Sequence, residues 1–342
     1  MPRPVRKLLL SEDEAVIQKV AGFLQKKIPD SILCETLAID LLRGAEGGLE
    51  FEELNFDEWF EGRFKQQLVW LDAKDYARAL VRALWLAPKF AGTDYGSSRQ
   101  RDMAQVWTDT ARGFLGEIAF SIFLSNTYGI ETKVDATRGL IEAYLATDIA
   151  EVKLPGEQWR SPRETVSVKA TKFNGRWLDV PGAQIEHSNS FVLVKIGVSR
   201  AHFLAFLKNA DFLDKLVSQG KDLEELKEED SQKLLSEIPD FYPLPAYIAG
   251  YISKRDVTLP IHMLNARLKG RKLKRIVIAQ GVGLLTPEVI RAYPSILTFD
   301  PAGVMVIEIE PIIKSFSGQK FLAHSGSLKY GKGNWGNLSK LF

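Results

Sequence analysis

The chain is predicted to be an α/β protein: a central mixed β-sheet flanked by helices, with an N-terminal helical region and a basic C-terminal region. Three observations predict this. Apolar residues recur at helical period through roughly the first 90 residues and again from Asp102 to Gly129. Between 147 and 200 the pattern changes to β-like segments, the clearest being "TVSVKATKF", where Thr165, Ser167, Lys169 and Thr171 alternate with Val166, Val168 and Ala170. Further β-like segments, "AYIAGYIS", "KRIVIAQGVG" and "GVMVIEIEP", then run toward the end.

Taken in order, "SEDEAVIQKVAGFLQKK" offers Ser11 as an N-cap with Glu14 at capping-box spacing, followed by Val16, Ile17, Val20 and Phe23 at helical period. "DAKDYARALVRALWLAPKF" is a second amphipathic helix, with Pro88 expected to stop it. The joint "AGTDYGSSRQ" marks a boundary between 1–97 and 98–260, and the basic C-terminal region is taken as 261–342. "DMAQVWTDTARGFLGEIAFSIFLSNTYG" is a long helix ending at a glycine. "ATDIAEVKL" and "ETVSVKATKF", separated by the turn-rich "PGEQWRSPR", are compatible with a hairpin whose second strand is central to its sheet. "SFVLVKIGV" follows, then a helical "SRAHFLAFLKNADFLDKLVSQ" and a charged helix or linker over "GKDLEELKEEDSQKLLSEIPD".

The bulk properties narrow the class. At 342 residues, 45% hydrophobic and 26% charged, the chain has material for a sizeable core. One cysteine, Cys34, forms no internal disulfide, and it reads as a buried helix residue. Four scattered histidines argue against a His-based metal site. No stretch has the roughly 18 apolar residues of a membrane span, and the start lacks a signal-peptide core, so a cytoplasmic protein with no membrane partner is expected. The net charge is only +2, yet from Tyr251 to Phe342 there are 14 Lys/Arg against 5 Asp/Glu. That segment, with Phe321, Tyr330, Trp335 and Phe342 among its lysines and glycines, suits a polyanionic partner. "RLKGRKLKR" at 267–275 is a candidate for phosphate contacts, and "GKGNWG" reads as a flexible basic loop rather than a dinucleotide fingerprint.

Lys169 stands in the middle of the polar face of "TVSVKATKF". Two carboxylates are placed to meet it. Asp148 opens the preceding β segment, and Glu117 lies within "RGFLGEIAFSIF", where Gly113 and Gly116 allow another backbone to come close. Two glycines in a helix cost about 1 kcal/mol each relative to alanine, so their place beside an acid is informative. A helix glutamate, a strand aspartate and a lysine on the adjoining strand suit metal-dependent phosphodiester hydrolysis. Carboxylates hold Mg²⁺ through hard oxygens, and an ammonium orients water or offsets developing negative charge.

The order "GFLGEIAFSIFL … TDIAEVKL … TVSVKATKFNGRWLDVPGAQIEHSNSFVLVKIGV" resembles the PD-(D/E)XK nucleases, type II restriction endonucleases in particular, over roughly residues 100–260. The resemblance implies a restriction-endonuclease-like core, Mg²⁺-dependent cleavage of double-stranded DNA at a specific site, and a homodimer for a palindromic target. Asp148 matches the motif aspartate, with Thr147 in place of the usual proline, and Lys169 matches the motif lysine. Ser167 stands where the family has a second acid, so Glu117 or Glu186 would supply the missing metal ligand. Gln184 resembles a glutamine that some members place beside the site.

Each of these residues also has a plain reading. Lys169 is then a solvated strand lysine, Asp148 a turn residue, Glu117 a helix charge, and Gln184, Glu186 and His187 loop polars. Two other functions stay open: a nucleic-acid-binding protein that has lost catalysis, which Ser167 favours, and a structure-specific repair or junction nuclease.

Overall fold

The computed structural model describes residues 12–46, 55–93, 102–134 and 147–255, short strands between 267 and 308, and residues 320–340 with Phe342. Helices α1 (Glu14–Leu24) and α2 (Ser31–Arg43) come first. Asp13, not Ser11, caps α1; its carboxylate accepts from the Ala15 and Val16 amides, and Ser11 lies outside the described residues. A short α3 (Phe56–Trp59) runs through one π turn into β1 (Leu68–Leu71), a strand inside the stretch expected to be helical. Four residues are too few for a periodicity signal, which is why the sequence pattern hides it.

Helix α4 (Ala73–Thr93) continues through Pro88 instead of stopping there. Pro88 is exposed, as is Leu84 four residues before it, so the carbonyl deprived of a helical donor lies on the wet side. Helix α5 (Met103–Tyr128) ends as expected at Gly129, whose φ of 67° is left-handed.

Beyond it lie β2 (Glu131–Val134), β3 (Ile149–Lys153), β4 (Val166–Lys172), β5 (Trp177–Pro181), α6 (Gly182–His187) and β6 (Ser190–Ile196). The expected helix after β6 is two, α7 (His202–Asn209) and α8 (Phe212–Asp222), broken at Asp211. The charged α9 (Glu228–Glu237) and the ten-residue β7 (Leu244–Ser253) follow.

The central sheet has the order β1-β7-β6-β4. Its first two pairings are antiparallel and β6–β4 is parallel, so the sheet is mixed, as predicted. All seven residues of β6 are buried. Helix α5 packs across one face; the Gly44–Glu46 turn and residues near Ser325 cover the other, where they hold the Lys195 ammonium.

Two expectations about β4 are corrected. It is an edge strand of this sheet, not a central one. It also forms no ladder with β3, which pairs antiparallel with β2, while the "PGEQWRSPR" turn folds back to bridge Val152 to Arg160. Only the entry to β3 reaches β4, where the Asp148 amide donates to the Val166 carbonyl at 2.9 Å.

The basic region supplies β8 (Arg267–Leu268), β9 (Arg271–Lys272), β10 (Arg275–Ile278), β11 (Val282–Leu285), β12 (Met305–Glu308) and β13 (Lys320–His324). Most of the stretch between 256 and 319, with the side chains of "RLKGRKLKR", lies outside the described residues. Strand β13 bridges β11 and β5 in a second sheet. Residues 331–336, expected as a loop, lie in α10 (Gly331–Ser339), held down by Trp335 and Leu338, both buried. Phe321, Trp335 and Phe342 are core residues, so they are not available to a polyanion; of the four aromatics only Tyr330 is exposed, at 41%. Cys34 is buried in α2 as expected, and burial first, then Asp30, raises its thiol pKa to about 11. No described helix is long and apolar enough to cross a membrane.

Candidate active site

Asp148 is fixed by the open edge of β4. Beyond the amide bond to Val166, its Oδ2 accepts from the Val168 amide at 2.5 Å. An edge strand has backbone donors without sheet partners, and here one of them orients a carboxylate. Thr147 completes the joint, its hydroxyl lying 3.2 Å from the Ile149 amide and 3.3 Å from the Val166 amide. The residue standing in the proline position therefore ties the two strands together through a side-chain oxygen.

Glu117 comes from α5. The helix meets β4 at Gly116, where a Cβ would stand 2.8 Å from the Ala170 Cβ; no such contact limits Gly113, where a Cβ would meet open space. Only one of the two helix glycines is thus explained by close approach. Glu117 is half-buried.

Lys169 is half-buried on the face opposite Val168 and Ala170. That face was expected to be outside, yet Ser167 is 3% exposed and Thr171 is half-buried, because a second layer of structure covers it. Burial lowers the Lys169 pKa from its usual value. Asp148, then Glu117, then Asp179 act against that by favouring the charged form. The three carboxylates that act on this ammonium are Asp148 and Glu117, both chosen from the sequence, and Asp179, which was not; Glu186, also chosen, is not among them.

Asp179 is the addition. It lies in β5, in "RWLDVP", within a segment whose alternation of Leu178 and Val180 inward was visible but whose packing beside β4 was not. Glu186 is on α6 and exposed; its backbone carbonyl accepts from Lys254 at 2.9 Å, and it is not among the charges acting on Lys169. Gln184 is half-buried on the same helix, its Oε1 enclosed with no hydrogen-bond donor among the described residues. His187 is exposed at the end of α6.

The donor set is one of hard oxygens, suited to Mg²⁺ rather than to a soft metal. Among the described residues no group of three or more His, Cys, Asp or Glu is close enough to form a protein-only cage. Mg²⁺ is commonly held by one or two carboxylates with water and phosphate oxygens, and the Asp148–Glu117–Asp179 surroundings of Lys169 fit that mode.

Comparison with known proteins adds no identity. No protein-family model matches this chain, and neither the curated proteins nor the solved structures gave a significant match.

Proposed function

We propose that the chain is a Mg²⁺-dependent DNA endonuclease of the PD-(D/E)XK type, cutting double-stranded DNA as a type II restriction enzyme does. The observation that carries this reading is the electrostatic surroundings of Lys169: a strand ammonium, partly withdrawn from water, with Asp148, Glu117 and Asp179 acting on it.

In this reading Asp148 and Glu117 hold the metal, with Asp179 a nearer candidate than Glu186 for the missing second acid. When bound, Mg²⁺ lowers the pKa of a ligated water and offsets charge on the phosphate. The rest falls to the chain. The Val168 amide keeps one Asp148 oxygen fixed. Lys169 orients the attacking water or meets negative charge as it develops on the phosphate, and its desolvation strengthens either interaction. Cleaving both strands of a palindrome takes two such sites, hence a homodimer.

The test is incubation of plasmid and phage DNA with the protein and Mg²⁺, followed by electrophoresis. Wild type gives discrete fragments, and Lys169→Ala and Asp148→Asn give none while still retarding DNA on a gel. A Lys169→Ala variant that cuts at the wild-type rate removes the assignment. A smear in place of fragments redirects it to a nuclease without sequence preference, such as a repair or junction enzyme.

A second reading rests on Ser167. It is buried at the second-acid position, and serine is a poor Mg²⁺ ligand. A binding protein built on a nuclease-like fold would shift DNA mobility, leave it uncut with any divalent ion, and show no metal-dependent rise in melting temperature.

A further inference from the structure

A cavity of about 500 Å³ opens where β4 and β6 begin, between β7 and α10. It lies on the opposite side of β4 from Lys169. Ser190, which lines it, pairs in register with Val166, whose side chain alternates away from Lys169. At about 3.3 Å per residue, Val166 and Lys169 are about 10 Å apart along the strand.

The cavity wall has a marked composition. Lys254, Arg255 and Lys329 line it against a single acid, Glu164. These cations come from two remote parts of the chain, joined by the paired backbones of Tyr251 and Lys329 at 2.8 and 3.0 Å. Asn334 and Asn337 face the same space from successive turns of α10, while the Asn334 amide nitrogen donates to the Tyr330 carbonyl. Ser190 is 1% exposed, and its hydroxyl has no hydrogen-bond partner among the described residues. An enclosed hydroxyl without a partner beside a cationic wall is a polar group waiting for a ligand oxygen or nitrogen.

We propose that this cavity binds one nucleotide unit of a nucleic-acid strand, with its phosphate on Lys254, Arg255 and Lys329 and its base edge toward the asparagines and Ser190. Asparagine amides carry both a donor and an acceptor, as base edges do, and the volume lies within the range of small-ligand sites. The proposal rests on the nucleic-acid partner proposed above but not on cleavage.

Binding is therefore measured on the full chain in EDTA, by anisotropy of a fluorescein-labelled single-stranded decanucleotide over a range of salt. The double variant Lys254→Gln/Lys329→Gln is expected to bind about tenfold more weakly, with a salt slope shallower by about 1.4, from about 0.7 per lost phosphate contact. Ser190→Ala and Asn337→Asp are expected to weaken binding without altering the salt slope in the first case. A double variant with wild-type affinity and slope overturns the proposal, as does a wild type that binds no oligonucleotide. Competition by deoxyadenosine monophosphate at lower concentration than inorganic phosphate supports a nucleotide site. Equal competition by the two overturns the base-reading half. Loss of cleavage with pocket binding intact would count against the nuclease reading alone.

Discussion

His202 is buried with neither ring nitrogen hydrogen-bonded among the described residues, boxed by Tyr76, Phe241 and Tyr242 at centroid distances of 4.7, 5.1 and 5.0 Å. Burial lowers its pKa to about 3. His324 reaches about 3 as well, through burial first and then Lys195, and its Nδ1 accepts from the Gly326 amide. In the unfolded chain both take a proton near pH 6.5, while the folded chain refuses it until about pH 3. The unfolded state thus binds more protons across that window, and stability is fully present above pH 6.5 and falls as the pH drops. Each histidine contributes a slope of up to about 1.4 kcal/mol per pH unit. Urea unfolding at pH 7 and pH 5 checks this: His202→Phe is expected to lose about 2 kcal/mol less than wild type between the two. The sequence places Lys195 inside the otherwise apolar "SFVLVKIGV". It could not show that the partner is Glu46, held at about pKa 2 although burial alone would raise it, because Lys195 and then Arg63 favour its charge. Asp148, Glu117 and Lys169 were legible because chain order carries them; Asp179 was not, since nothing in "RWLDVP" states which strand it packs beside.

The contact between α5 and β4 is made at the glycine preceding Glu117, and this separates two otherwise similar positions. Gly116→Ala forces its Cβ into that of Ala170 at 2.8 Å, so helix or strand must move, at a cost of about 1–3 kcal/mol. The displacement carries Glu117 with it, so cleavage should fall as well. Gly113→Ala meets nothing within 4 Å and removes a helix-interior glycine, so a gain of up to about 1 kcal/mol is expected with activity retained. Thermal melts and the gel assay on both variants check the pair. Helical period revealed α1, α2, α4 and α5, but the ends were set by details that periodicity does not carry: an Asp13 cap and a tolerated Pro88. Alternation revealed β4 but not its neighbours. The hairpin expectation failed because turn residues allow a reversal without specifying its partner.

At the scale of the molecule, one core among the described residues runs from Ile17 in α1 to Phe342. The last described segment is built into it: Trp335 packs on Phe120, Phe123 and Tyr251, its indole nitrogen donates to Gln67, and Arg160 donates to the Phe342 carbonyl. Basic composition suggested contacts with a polyanion, but counting charges gives no account of which aromatics between them are buried. Deletion of residues 320–342 is therefore expected to abolish folding, not merely to weaken DNA binding. Trp335→Ala alone should cost about 3–5 kcal/mol, read from denaturant midpoints. Folded, soluble protein after the deletion, with a cooperative melt, would show that this segment is an accessory.

Arg63 donates to the Ala249 carbonyl 186 residues ahead and to the Ser325 carbonyl 262 residues ahead, and its guanidinium stacks 3.8 Å from the Tyr330 ring centre. On a ribosome adding about 5–20 residues per second, those partners emerge about 10–50 s after the arginine. During that interval β1 has no β7 to pair with, and the apolar faces of α1, α2 and α5 have no finished sheet to cover them. The nascent chain must wait for its own far end before these apolar faces are covered.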